Sequence, residues 1–71
     1  MDPQATWNSL QKAYGRKEWQ EARELARSLL DWLHRDGFPP FTGNGDPTDM
    51  AEQRGNATRF CRLVIDLTKA K

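Results

Sequence analysis

The side chains that could do chemistry are few and far apart. The chain has one histidine, His34, and one cysteine, Cys61. Nucleophilic catalysis needs a base beside the thiol. The residue patterns put His34 in the last turn of one helix, on its polar side, and Cys61 on the apolar face of another. His34 reads there as a cation favoured by the helix dipole, and Cys61 as a small buried hydrophobe. Glu18, Glu21 and Glu24 recur every three residues. That spacing turns each carboxylate about 60° from the last, so the three do not converge on a metal. Asn44, Asp46 and Asp49 offer oxygen ligands without calcium-loop spacing, and helix capping accounts for both aspartates. The glycines before them lack the Lys-Ser/Thr ending of a phosphate-binding loop. Asn56-Ala57-Thr58 has the form of a glycosylation sequon, a triplet common by chance. These residues predict no catalytic centre, no metal site and no cofactor, and an enzyme is not expected.

Composition narrows the alternatives. The 71 residues are 37% hydrophobic and 30% charged, with a net charge of +1. The near-neutral balance excludes a protein held to polyanions by bulk charge. No apolar run approaches the roughly 20 residues of a membrane span, and no signal-peptide hydrophobic region opens the chain. A single cysteine forms no internal disulfide. These features together predict a cytoplasmic domain. A chain this short buries only about 60% of its unfolded surface and needs a rich core. Three Trp, three Phe and one Tyr can supply it.

The patterning predicts three helices and no strand. Asp2-Pro3 reads as an N-cap followed by a proline at the first helical position. Trp7, Leu10, Ala13 and Tyr14 follow at helical spacing, and Gly15 supplies a left-handed stop, giving a helix over about 3–14. Over about 17–35, Trp19, Ala22, Leu25, Ala26, Leu29, Leu30, Trp32 and Leu33 form one apolar arc, wide enough to meet two neighbours. Glu24–Arg27, Arg27–Asp31 and Asp31–Arg35 are spaced as ion pairs. Gly37 is expected in the left-handed position after this helix, with Phe38 folded back on Leu33. Residues 37–46 form a loop rich in Gly and Pro. Asp46-Pro47 repeats the start signal, with Asp49 as an imperfect capping box, for a third helix over about 47–70. Met50, Ala57, Phe60, Cys61, Val64 and Leu67 line its apolar face, and Gly55 marks a kink or a close approach.

Helices one and two resemble a tetratricopeptide (TPR) hairpin. Trp7, Leu10, Tyr14, Gly15, Trp19, Ala22 and Ala26 follow that family's pattern in order over about residues 5–33. The Tyr14–Trp19 interval is one residue shorter than the family's, and Gln11 stands where the family has a small residue. Three helices with a short first turn imply an antiparallel hairpin with the third helix laid across its apolar side, and the resemblance implies a scaffold for a protein or peptide partner. It also implies a binding ridge on the first helix at Asn8, Lys12 and Arg16, four residues apart and suited to a carboxylate or acidic peptide.

Charge is unevenly spread along the chain. Residues 36–53 carry Asp36, Asp46, Asp49 and Glu52 and no base. Residues 54–71 carry Arg54, Arg59, Arg62, Lys69 and Lys71 against Asp66. Arg54, Arg59, Arg62 and Lys69 fall opposite the apolar face. Arg59, Arg62 and Lys69 are the candidates for a nucleic-acid contact, although no aromatic is interleaved with them. Leu63 and Ile65 lie off the main apolar face of the third helix, Trp32 sits at the edge of the second helix's arc, and Phe38 and Phe41 bracket two prolines in the loop; together they suit a contact patch, including one for self-association. The reading expected from the sequence is an all-α three-helix domain acting as a protein-interaction or assembly module. A small nucleic-acid-associated protein is the alternative. The segment Phe38-Pro39-Pro40-Phe41 is expected to fold back on the bundle.

Overall fold

The computed structural model describes residues 1–69. It is an all-α three-helix bundle: α1 over Pro3–Gly15, α2 over Trp19–His34 and α3 over Met50–Thr68. The expected extension of the third helix to Ala70 lies outside the described residues, as does Lys71.

Each helix begins or ends for a local reason. The Asp2 carboxylate accepts hydrogen bonds from the amides of Gln4 and Ala5, at 3.0 and 3.1 Å, with Pro3 at the first helical position. The third helix starts later than the sequence suggested. Asp49, not Asp46, is its N-cap, accepting from the Glu52 amide at 3.1 Å. Asp46 instead accepts from the Thr48 amide and hydroxyl at 2.9 and 2.7 Å, closing a turn around Pro47.

Both helix stops also differ from expectation. The left-handed residues are Lys17 and Asp36, with φ of 58° and 63°, not Gly15 and Gly37. After α1, the Lys17 amide donates to the Tyr14 carbonyl and the Glu18 amide to the Ala13 carbonyl. After α2, the Asp36 amide donates to Leu33 and the Gly37 amide to Trp32. Each pair satisfies carbonyls that the last helical turn leaves open. Gly37 is needed for a different reason: a Cβ there would strike the Trp32 indole.

The core is Trp7, Leu10 and Ala13 from α1, Ala22, Ala26, Leu29 and Leu33 from α2, and Ala57, Cys61 and Val64 from α3. Helix α2 packs against both neighbours, as its wide apolar arc requires. Small Ala22 and Ala26, both fully buried, leave room for close approach. Edge-to-face rings link α1 to α3, Trp7 on Phe60 at 5.3 Å and Tyr14 on Phe60 at 5.2 Å, and Tyr14 in turn meets Trp19 of α2 at 5.7 Å. Met50 and Leu67, expected on the apolar face, are about half exposed, while Gln53 and Thr68 are buried in their place. Thr68 satisfies its hydroxyl on the Val64 carbonyl at 2.9 Å. Gly55 lies in unbroken helix, and a methyl there would meet only the Arg59 guanidinium at 3.8 Å, so it marks neither a kink nor a tight crossing. Of the expected ion pairs, Asp31–Arg35 closes, at 3.1 Å on the surface.

Candidate functional site

One end of the bundle gathers the start of α1, the end of α2, the start of α3 and the loop that joins the last two. That loop is held by side chains from all three helices. From α2, the Trp32 indole N–H donates to the Phe38 carbonyl at 2.9 Å. From α1, Gln4 pairs with both backbone groups of Phe41, accepting from its amide at 2.8 Å and donating to its carbonyl at 3.2 Å. From α3, Gln53 accepts from the Thr42 amide and hydroxyl at 2.8 and 2.7 Å, and donates to the Asn44 and Asp46 carbonyls at 2.6 and 3.1 Å. Gln53 is only 2% exposed. It uses both donors and doubles its acceptor, which is what a buried amide needs.

Arg54 is the neighbouring anchor. Its guanidinium donates to the Leu33 carbonyl at 2.7 Å and to the Gly37 carbonyl at 2.9 Å. A cation at the C-terminal end of α2 also complements the helix dipole. Arg54 is half-buried and turned to α2, so it does not belong to the exposed basic face where the sequence put it.

The backbone of the Phe38-Pro39-Pro40-Phe41 segment therefore does fold back on the bundle, with Pro40 buried. The rings do not follow it. Phe38 is 57% exposed and Phe41 46% exposed. Phe38 rests edge-on against Trp32, at 5.8 Å and 83°, where contact with Leu33 was expected. Met50, also exposed, opens α3 at the same end. Asp36, Asp46, Asp49 and Glu52 are exposed at the same end of the bundle, where Arg35 and Arg54 also lie. The Thr48 hydroxyl, and then its amide, hold the Asp46 carboxyl below its ordinary value, so it stays ionised.

The six residues singled out from the sequence lie elsewhere. Asn8, Lys12 and Arg16 are exposed along α1, and Arg59, Arg62 and Lys69 are exposed on α3. No hydrogen bond or ion pair among the described residues joins the two sets. Arg59 donates to the Asn56 side chain one turn away and borders a groove between α1 and α3 with Trp7, Gln11 and Leu63. Asn56, the sequon asparagine, is half-buried on a helix and donates to the Thr42 hydroxyl and the Asn44 carbonyl, both at 3.3 Å. His34 is exposed. Cys61 is fully buried, and burial pushes its thiol up to about 12. Among the described residues, no three His, Cys, Asp or Glu side chains are grouped to hold a metal ion, and no helix is long and apolar enough to cross a membrane.

Sequence reasoning passed over Gln4 and Gln53 and gave Arg54 a place on the exposed basic face instead of its role as an anchor. Gln53 left a readable trace. It lies four and eight residues before Ala57 and Cys61, so it is a polar residue in the core row of α3. Gln4 and Arg54 left none, because their partners are backbone groups of a loop whose path depends on the tertiary fold.

Compared with known proteins, the chain matches no family model, no curated protein and no solved structure.

Proposed function

We propose that this chain is a protein-interaction or assembly module without catalytic activity, and that it docks its partner on the end of the bundle carrying Phe38 and Phe41. The observation behind this reading is the split between backbone and rings. Eight hydrogen bonds with Gln4, Trp32, Gln53 and Arg54 fix the 37–46 loop, yet its two phenylalanines face solvent. A loop already ordered loses little entropy on binding, and rigid aromatic side chains are strong anchors in interfaces. The reading takes the protein to be cytoplasmic. It also keeps the TPR-like hairpin as a scaffold, but moves the partner from the Asn8–Lys12–Arg16 ridge to the loop end.

Photo-cross-linking tests the proposal. A benzophenone side chain placed at Phe41 should yield a discrete adduct in an extract of the source cells, and Phe38→Ala should abolish it. The same probe at Lys12 should give none. Adducts from Lys12 alone would return the partner to the α1 ridge. Salt-sensitive oligonucleotide binding that disappears in Arg59→Ala/Arg62→Ala would favour the nucleic-acid reading.

A further inference from the structure

Two arginines of α2 lack the partners that their sequence offers. Arg27 is spaced to pair with Glu24 or Asp31, but Asp31 pairs with Arg35 at 3.1 Å, and among the described residues no ion pair reaches Arg23 or Arg27. Arg23 is half-buried, and its Nε is shut off from solvent with no acceptor among the described residues. A buried guanidinium donor without an acceptor is costly, and such groups are rare.

Both arginines line the groove between α2 and α3. At one end they meet Trp19 and Thr68 in a recess of about 470 Å³, a size that suits a small molecule. Further along they meet Ile65 and His34. Arg23 and Arg27 are four residues apart, so their side chains are neighbours on one face. The acids close to them are Glu24 at the recess and Asp31 further along. Glu18 and Glu21 precede Arg23 by five and two residues, which turns them about 140° and 160° away round the helix. On α3, exposed Arg62 and Lys69 lie three residues before Ile65 and four after it, and so flank it, whereas Asp66 is turned about 100° from it.

We propose that this recess binds a small phosphomonoester, its phosphate held by the guanidinium groups of Arg23 and Arg27 and its apolar body laid against Trp19. Two adjacent forks match the oxygens and the double charge of a phosphate monoester. Turning the Arg23 fork towards the recess gives Nε the acceptor that its closed position denies. Glu24 and Asp31 lie along the groove on either side of Arg27, which disfavours a long polyanion there and leaves room for a single phosphate. Trp19 precedes Leu33 by 14 residues of helix, about 21 Å, so the site is separate from the loop end and independent of docking there.

The test is a titration of the full chain with phenyl phosphate and with inorganic phosphate at constant ionic strength, followed by the arginine Nε–H resonances in NMR spectra. The Arg23 and Arg27 resonances should shift and saturate. Phenyl phosphate should bind several-fold more tightly than inorganic phosphate, because Trp19 meets its ring. Arg27 is exposed, so Arg27→Gln spares the core. It should weaken phenyl phosphate by about tenfold, the loss of one charge-assisted contact. Arg27→Lys should recover part of that loss, and Glu24→Gln should tighten binding. Circular dichroism confirms that each variant remains helical; if Arg27→Gln unfolds, Arg27→Lys and the wild-type titration decide. Resonances that never saturate, equal shifts from chloride, or unchanged affinity in folded Arg27→Gln overturn the proposal. So does an oligonucleotide without terminal phosphates that binds these arginines more tightly than phenyl phosphate, which would assign the groove to a phosphodiester backbone.

Discussion

The guanidinium of Arg54 donates at 2.7 Å to the carbonyl of Leu33, so a residue of α3 closes the end of α2. Its second arm reaches the Gly37 carbonyl and fixes the start of the loop in the same geometry. One planar fork thus joins two helices and the segment that carries Phe38.

Arg54→Met should therefore destabilise the fold by about 1–3 kcal/mol, since it keeps the aliphatic stem and removes both charge-assisted hydrogen bonds. Arg54→Lys should recover only part of the loss, because an ammonium cannot span two carbonyls as the fork does. Urea unfolding followed by helical signal measures both. Equal stability of the Lys variant and the wild type would show that charge alone matters here.

Adjacent residues after α2 should respond in opposite directions. Asp36 has a φ of 63°, a conformation that costs a side chain about 1–2 kcal/mol. Asp36→Gly should raise stability by about 0.5–1 kcal/mol once the greater freedom of unfolded glycine is counted. Gly37→Ala should lower it, because the new methyl drives into the Trp32 indole. Melting temperatures that shift in the same direction for both would contradict this geometry.

Much of the fold was legible in the sequence, because it rests on local signals. The apolar arc of α2 required two neighbours, and α1 and α3 occupy its two sides. Asp2-Pro3 marked the start of α1. The errors arose where two local signals competed. Aspartate suits an N-cap at either 46 or 49, and Thr48 draws the Asp46 carboxylate into its own turn, leaving Asp49 to cap α3. Glycine was expected in the left-handed stops, but Trp32 needs the space over Gly37, and the neighbouring aspartate takes the unfavourable φ. The candidate site was half legible. The loop and its two phenylalanines stood out, but whether their rings pack or project depends on contacts 37 residues apart in sequence, between Gln4 and Phe41.

Gly55 lies inside α3, where a Cβ would make only an ordinary contact with the Arg59 guanidinium at 3.8 Å. Gly55→Ala should therefore stabilise the protein by about 0.5–1 kcal/mol, the difference in helix propensity. A thermal melt checks it, and a lower melting temperature would reveal a close approach at that turn.

Cys61 should resist modification while the protein is folded. Burial raises its thiol from 9.0 to about 12, so the native state holds a proton that the unfolded chain releases. The stability this contributes is fully present below pH 9.0 and is lost as pH rises towards about 12. Reaction with a disulfide reagent should be slow in buffer and fast in urea. Unfolding should also require less urea at pH 10 than at pH 8. Rapid labelling of the native protein would mean that the core opens locally at α3.

The central claim is that a fixed backbone presents Phe38 and Phe41 to a partner, and amide hydrogen exchange at Phe41 and Thr42 tests it most directly. Both amides donate at 2.8 Å to side chains of the helices, Phe41 to Gln4 and Thr42 to Gln53. They should exchange well below the rate of the same segment as a free peptide, and Gln53→Ala should release Thr42. Free-peptide rates at both amides in the wild-type protein would contradict the account.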